Sequence, residues 1–170
     1  STPEKSPITS WAYSILGQIY VVLPLALLGV WGYKSDYQLF MNTEYLLMAL
    51  FVFVWTNDTG AYIVGCTLGK HRLFERISPK KSWEGFFGGL AFCIILASLA
   101  NYIIPGMLST AQWIGMGILT SIFSTWGDLC ESLLKRTAGV KDSGKILPGH
   151  GGILDRFDSE LIASPVIFIY

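Results

Sequence analysis

The stretch WAYSILGQIYVVLPLALLGVW, residues 11–31, contains no charged side chain in 21 positions. At about 1.5 Å per residue, an α-helix of this length is roughly 30 Å long, which matches the hydrocarbon thickness of a bilayer. The stretch therefore predicts a membrane-spanning helix. Pro24 lies inside it and predicts a local kink, which neighbouring helices can tolerate in lipid.

Further apolar runs indicate that most of the chain is organised in the same way. The sequence is 52% hydrophobic and 14% charged, with a mean hydropathy of +0.49. A soluble domain with so many apolar residues would have too few polar side chains to form its surface. We predict an all-α, polytopic integral membrane helical bundle. The alternative, a soluble helical protein with a very apolar core, is disfavoured by the length of the runs. About five membrane helices are expected, over residues 11–31, 45–69, 83–104, 113–130 and 161–170.

The two ends of the sequence differ from this pattern. Residues 1–10 are polar and contain two prolines, which predicts a flexible lead-in. Residues 11–170 form the membrane-embedded portion, whose last apolar run is too short to cross a bilayer. We therefore expect the sequence to be the C-terminal portion of a longer chain.

Basic residues are distributed unevenly between the connections. Residues 70–82 and residues 131–158 each contain five Lys or Arg, whereas residues 101–112 contain none. Basic loops tend to stay in the cytoplasm, so both basic connections are expected on the inner side. Two predicted crossings lie between them, which is consistent with that placement. The net charge of zero gives no reason to expect a nucleic-acid partner.

The connection SLLKRTAGVKDSGKILPGHGGILDRFD, residues 132–158, is the most polar part of the chain. It contains five cations, three carboxylates and a glycine-rich turn. Lys and Arg supply charge for phosphate oxygens, and glycine lets backbone N–H groups approach a ligand closely. Asp155 and Asp158 offer the oxygen ligands that a hard divalent cation prefers. The segment therefore predicts a site for nucleotide phosphates and a metal ion.

Asp58 is a carboxylate inside the apolar run 45–69. A charge at the centre of a membrane costs about 3 kcal/mol on insertion scales, so its side chain should face protein or water. Asp58 is thus a candidate site residue on physical grounds. The alternative is a break in the helix, with Asn57 or Asp58 capping the helix that follows.

Asp128 lies near the end of the run 113–130. If that helix continues, Asp128, Ser132 and Lys135 fall on one stripe, at i, i+4 and i+7. The stripe would present a metal ligand, a hydroxyl and a phosphate-binding cation to one place.

More than ten residues of the polar connection occur in a recognisable order: Ser132, Lys135-Arg136, Lys141-Asp142, PGHGG at 148–152 and DRFD at 155–158. NDTGAY at 57–62 and ISPKKSWEG at 77–85 are two further stretches of the same kind. Together they resemble the signature of the phosphatidate cytidylyltransferase family, also called CDP-diacylglycerol synthases. The resemblance covers roughly residues 51 to 170, while residues 1–50 match only in being apolar.

The resemblance implies a reaction in which CTP and phosphatidate give CDP-diacylglycerol and pyrophosphate in phospholipid biosynthesis. Mg²⁺ or another divalent cation is the expected cofactor, and the bilayer of a bacterial cell membrane is the expected setting, with the active site facing the cytoplasm. We expect Asp128, Lys135 and Asp155 to be catalytic, and Asp58, Asp128, Asp155 and Asp158 to bind metal. The expected substrate-binding residues are Ser78, Lys80, Lys81, Ser132, Arg136, Lys141, His150, Gly151, Gly152 and Arg156.

Other interpretations stay open at this point. The basic residues can act only as inner-side anchors, and Asp158 can simply favour a helix N-terminus. His150 is expected to hydrogen-bond a phosphate rather than act as a base. A related CTP-dependent lipid kinase of the polyprenol type would release CDP, and an ion transporter or channel subunit would use the carboxylates to line a path. The oligomeric state is open, a homodimer included.

Overall fold

The computed structural model describes residues 7–32, 43–140, 143–144, 152 and 154–170. Its helices and its one small sheet follow in chain order, with a π-helical turn between the first two helices. The helices are α1 (Pro7–Gly17), α2 (Leu23–Gly32), α3 (Thr43–Leu68), α4 (Trp83–Ile103), α5 (Thr110–Thr137) and α6 (Leu154–Ile169). The strands β1 (Arg72–Phe74) and β2 (Ser78–Ser82) lie between α3 and α4. The predicted all-α fold class is confirmed.

The distortion expected at Pro24 takes the form of the π-helical turn, Gln18–Val22. Pro24 has no N–H, so the carbonyl four residues before it lacks its usual helical donor. Leu23 instead donates to the carbonyl of Gln18, five residues earlier, which widens the helix locally. The apolar segment formed by α1 and α2 therefore continues through the proline.

In the described ranges, three helical segments are long and apolar enough to cross a membrane: Pro7–Val30, Glu44–Leu68 and Trp83–Ile103. They correspond to the first three predicted spans, and they identify an integral membrane protein. α5 is 28 residues long but carries several buried polar side chains, and α6 has 16 residues. α5 and α6 pack against the apolar helices and carry most of the described candidate site residues.

α3 is continuous through Asn57 and Asp58. The alternative of a helix break capped at this position is therefore wrong, and Asp58 is a carboxylate in the middle of a long helix. The main apolar core lies around the same helix, where Leu50 and Phe53 pack with Trp113 and Met116 of α5.

Glycines bring α3 and α4 close together, because a residue without a side chain lets two helices approach closely. A Cβ atom added at Gly89 would lie 2.6 Å from Oδ1 of Asn57, and one added at Gly88 would lie 2.5 Å from the side chain of Val64. Any larger residue at these positions would push the two helices apart.

α5 and α6 run antiparallel, because residues 127 and 135 of α5 lie against residues 158 and 155 of α6, respectively. A Cβ atom added at Gly127 would lie 2.5 Å from the backbone oxygen of Asp158.

The connection between α5 and α6 is shorter than the predicted polar segment 131–158. Residues 132–137 continue α5 and residues 154–158 open α6, so most of the charged groups sit on helices.

The sequence interpretation contained no strand in residues 70–82, where the structure forms a hairpin. β1 and β2 pair antiparallel, with Arg72 opposite Ser82 and Phe74 opposite Ser78. Short flanking contacts fix the hairpin to α4, since the N–H of Trp83 donates to the carbonyl of His71 at 3.0 Å. The alternation of apolar and polar residues is too short here to reveal a strand, and tertiary contacts decide it.

Candidate active site

The expected stripe on α5 is present, because the helix continues to Thr137. The hydroxyl of Ser132 donates to Oδ1 of Asp128 at 3.2 Å. Lys135 follows about two helical turns after Asp128, roughly 10 Å further along the axis. Asp128 and Lys135 therefore lie on one face but belong to two neighbouring clusters of charged groups.

The first cluster lines a polar cleft of about 210 Å³ between α3, β2 and α5. Asp58 of α3, Lys80 and Lys81 of β2 and Asp128 of α5 all face it. Nζ of Lys81 lies 2.5 Å from Oδ2 of Asp128. The fold thus brings together candidates from three distant parts of the sequence, and the hairpin supplies the two lysines.

A buried polar network holds α3 and α5 together beside this cleft. Asn57, which is 2% exposed, accepts a hydrogen bond of 2.6 Å from Ser121 and donates one of 3.2 Å to Ser124. Because Asn57 precedes Asp58, the network sets where the Asp58 carboxylate emerges. Sequence reasoning missed both serines; their three-residue spacing within an otherwise apolar helix was the available signal.

The second cluster centres on Lys135. Its Nζ lies 2.6 Å from Oε2 of Glu131 and 2.7 Å from Oδ1 of Asp155. Glu131 is only 1% exposed, and sequence reasoning did not identify it. The available signal was a carboxylate four residues before a lysine in a helix, a pairing that is usually an ordinary surface contact.

Asp155 accepts hydrogen bonds from both described pieces of the connection between α5 and α6. The N–H and hydroxyl of Ser143 each donate to Oδ2 at 2.9 Å, and the N–H of Gly152 donates to it at 2.7 Å. Burial raises the pKa of Asp155, but the hydrogen bonds from Lys135, Gly152 and Ser143 outweigh it and lower the pKa overall. The carboxylate is therefore held as an anion that joins α5, the connection and α6.

Asp158 lies one turn further along α6, near Asp128. Burial is the largest cause that raises the pKa of Asp158, and the negative charge of the Asp128 carboxylate raises it further. Its Oδ1 also accepts a 2.6 Å hydrogen bond from the N–H of Ser159. A buried carboxylate whose pKa is raised by a neighbouring carboxylate is a setting in which a cation would be favourable.

Within the described ranges, no group of three or more His, Cys, Asp or Glu side chains is arranged to hold a metal ion. Mg²⁺, however, is often held by one or two carboxylates, completed by water and substrate phosphates. Asp58 and Asp128 face one cleft and provide such a pair. The donor set therefore fits a Mg²⁺ ion that binds together with a phosphate substrate.

The remaining candidates are spread around these two clusters. Ser78 begins β2, Arg136 is exposed in the last turn of α5, and Arg156 is exposed in the first turn of α6. Gly152 is buried against Ser143. Lys141, His150 and Gly151 lie outside the described residues.

An apolar groove of about 330 Å³ adjoins the polar cleft. It runs between the hairpin, the start of α4 and α5, with Leu73, Leu129 and Leu133 among its walls. Phe86 and Thr125 line both the groove and the cleft. Charged and apolar surfaces therefore meet at these two residues.

Comparison with known proteins identifies the family of the chain. The family model for the cytidylyltransferase family matches residues 2–170. The chain is 41% identical over 158 residues to a phosphatidate cytidylyltransferase of Staphylococcus aureus (strain COL), which covers 92% of this chain and 60% of that protein. It is 41% and 40% identical over 157 residues to proteins of the same name from Staphylococcus haemolyticus and Staphylococcus epidermidis, with the same coverage. The chain spans about 60% of the length of these relatives, and it belongs to the cytidylyltransferase family.

Proposed function

We propose that the chain contributes the active site of a phosphatidate cytidylyltransferase, which converts CTP and phosphatidate into CDP-diacylglycerol and pyrophosphate. The observation that carries this proposal is the junction between the polar cleft and the apolar groove. A substrate with a phosphate head and acyl chains needs both surfaces side by side. The names of the relatives and the three matching sequence stretches support the same reaction.

The proposed reaction requires neutralisation of negative charge and does not require a strong base. A phosphate oxygen of the lipid attacks the α-phosphorus of CTP, and the bond from that phosphorus to the bridging oxygen breaks, which releases pyrophosphate. The second ionisation of a phosphomonoester lies near pH 6, so the attacking oxygen is already anionic at neutral pH. The site must therefore hold two polyanions together and in line.

Lys80 and Lys81 are the cations best placed for this task, because both line the cleft. Asp58 and Asp128 would hold a Mg²⁺ ion, which when bound supplies positive charge for the triphosphate and its leaving group. Lys81 pairs with Asp128 in the structure, and we propose that its ammonium turns to a substrate phosphate in the complex. The hydroxyl of Ser132 supports Asp128 from the next helical turn.

The apolar groove is assigned to an acyl chain of the lipid. Trp83, Leu129 and Leu133 give it an apolar wall, and burying an acyl chain there contributes about 0.8 kcal/mol per CH₂ group. The orientation of the protein in the membrane follows from its charge distribution, since the hairpin and the end of α5 belong to the two basic connections. We propose that both face the cytoplasm, where CTP is available.

The test is a product analysis with the full-length protein in micelles that contain phosphatidate, CTP and Mg²⁺. We expect CDP-diacylglycerol and pyrophosphate in equal amounts, loss of both with Asp128→Asn, and normal rates with the control Glu44→Gln at the far end of α3. Release of CDP with a phosphorylated lipid would instead identify a CTP-dependent kinase. Ion flux through liposomes without CTP, together with no lipid product, would identify a transporter.

A further inference from the structure

We propose that the ring of Tyr62 is the stacking partner of the nucleotide base. This inference rests on the proposed function, because it assumes that the polar cleft between α3, β2 and α5 holds the phosphates of CTP. Tyr62 belongs to α3 and lines that same cleft. It follows Asp58 by four residues, so the two side chains lie on one face of the helix.

The ring of Tyr62 is accessible to a ligand. The residue is 72% exposed, and it takes part in none of the ring contacts between described residues. An exposed aromatic ring in the wall of a cleft offers a flat apolar face, and every nucleotide base has a flat face that stacks on such a ring. An interfacial tyrosine that only anchors α3 near the membrane surface would also be exposed, but it has no reason to line the cleft.

The arrangement of the two surfaces assigns the base to the α3 side of the cleft. The cleft meets the apolar groove at Phe86 of α4 and Thr125 of α5. Among the described residues that line the groove, none belongs to α3, whereas α3 forms one wall of the cleft. An acyl chain in the groove therefore brings the lipid phosphate to the side of Phe86 and Thr125. The α3 side is left for the part of CTP that extends away from the lipid.

Charge divides the binding roles within the cleft. Lys80 and Lys81 line it and supply the positive charge that phosphate oxygens need. Tyr62 is a neutral aromatic residue, so its ring suits the uncharged part of CTP, which is the nucleoside. A base stacked on Tyr62 would fix the nucleoside while the lysines hold the triphosphate. Since every base can stack, this contact contributes affinity for the base and does not select cytosine.

The experiment separates the base from the phosphates by using two ligands. Equilibrium dialysis of the full-length protein with labelled CTP and Mg²⁺ measures CTP affinity, and displacement of the label by inorganic tripolyphosphate measures phosphate binding alone. We expect Tyr62→Leu to bind CTP about tenfold more weakly because a stacking partner is lost, with tripolyphosphate affinity unchanged within about twofold. Tyr62→Phe keeps the ring and should bind CTP within about twofold of the unmodified protein. Tyr45→Leu is the matched control, since Tyr45 is an exposed tyrosine of the same helix that lines a separate apolar groove.

Four results would overturn the inference: unchanged CTP binding by Tyr62→Leu, an equal loss of CTP and tripolyphosphate affinity, a loss with Tyr62→Phe as large as with Tyr62→Leu, or the same loss with Tyr45→Leu. If Tyr62→Leu does not fold, photochemical cross-linking of 5-iodo-CTP to the unmodified protein decides. An adduct on Tyr62 would support stacking, and adducts only on other residues would refute it. Failure of the unmodified protein to bind CTP would instead refute the proposed function itself.

Discussion

The ammonium group of Lys81 on β2 lies 2.5 Å from Oδ2 of Asp128 on α5. A lysine thus pairs with one of the carboxylates that the sequence predicts to bind metal. We expect Lys81 and the proposed divalent cation to compete for the same oxygen, which would couple metal binding and phosphate binding through one side chain. The contact also explains how the hairpin between α3 and α4 takes part in the polar cleft that it forms with α3 and α5.

Lys81→Met should separate these two roles. We expect the Mg²⁺ concentration for half-maximal activity to fall about threefold, because a competing cation is gone, while KM for CTP rises about tenfold, because a phosphate partner is lost. Kinetics at a series of Mg²⁺ and CTP concentrations measure both. Arg72→Met, which removes an exposed cation from the same hairpin, should change neither value by more than about twofold. A rise of the Mg²⁺ requirement in Lys81→Met would contradict competition.

Asn57→Leu should destabilise the contact between α3 and α5. The substitution leaves the hydroxyls of Ser121 and Ser124 without their buried partner, which costs about 1–3 kcal/mol. Thermal unfolding in detergent measures the loss, and activity should fall because Asp58 shifts. Asn57→Ser, which retains a short polar group, should be less severe. Equal melting temperatures for the leucine variant and the unmodified protein would show that the network contributes nothing.

Gly127→Ala should disturb the contact between α5 and α6. The added Cβ atom would lie 2.5 Å from the backbone oxygen of Asp158, so the first turn of α6 must move. Overpacking of this kind costs about 1–3 kcal/mol, and we expect a lower melting temperature together with lower activity. Gly29→Ala is the control, since a Cβ atom there meets nothing within 4 Å. Identical behaviour of the two variants would contradict the close approach.

Asp155 should contribute to resistance against acid. Its pKa is lowered in the folded protein, so its contribution to stability is fully present above the unfolded value of about 3.9 and is lost as the pH falls below it. Asp155→Asn should therefore lower the melting temperature at neutral pH, and the difference from the unmodified protein should shrink as the pH falls below about 4. Melting curves across this range provide the measurement. A melting-temperature difference between the two proteins that grows toward acid pH would contradict this prediction.

Leu133→Trp should test the acyl groove. Leu133 lines the groove and is 49% exposed, so a larger side chain fits the fold but reduces the space for lipid. We expect KM for long-chain phosphatidate to rise about fivefold or more, on the scale of a methylene group or two excluded from the groove, with little change for a short-chain analogue. Leu134→Trp, next to it and similarly exposed but outside the groove, is the control. An equal change for both chain lengths would argue against this groove as the acyl site.

Sequence reasoning was strongest where a pattern has one physical solution. The runs 11–31, 45–69 and 83–104 predicted the three described helical segments that can cross a membrane, because backbone polar groups in lipid must be satisfied within the helix. The stripe from Asp128 to Lys135 followed from helical periodicity and is confirmed by the unbroken α5. The role of these residues as metal and substrate ligands stays a prediction.

The same reasoning was weaker where partners lie far apart in the chain. It did not identify Glu131, whose burial and contact with Lys135 depend on how α6 packs against α5. It placed Lys80 and Lys81 in a loop, whereas both lie on β2, which pairs with β1, and Lys81 forms an ion pair with Asp128. Local periodicity carries no information about such contacts.

The sequence by itself determined the class of the protein: apolar runs of bilayer length dictate helices, and the ordered polar residues indicate the family. The tertiary structure alone decided which charges meet. It separated Asp58, Asp128 and Lys81 in the cleft from Glu131, Lys135 and Asp155 two turns away. The physical reason is that a helix fixes the spacing of its own side chains but not the neighbour they face, and close packing at Gly89 and Gly127 sets that neighbour.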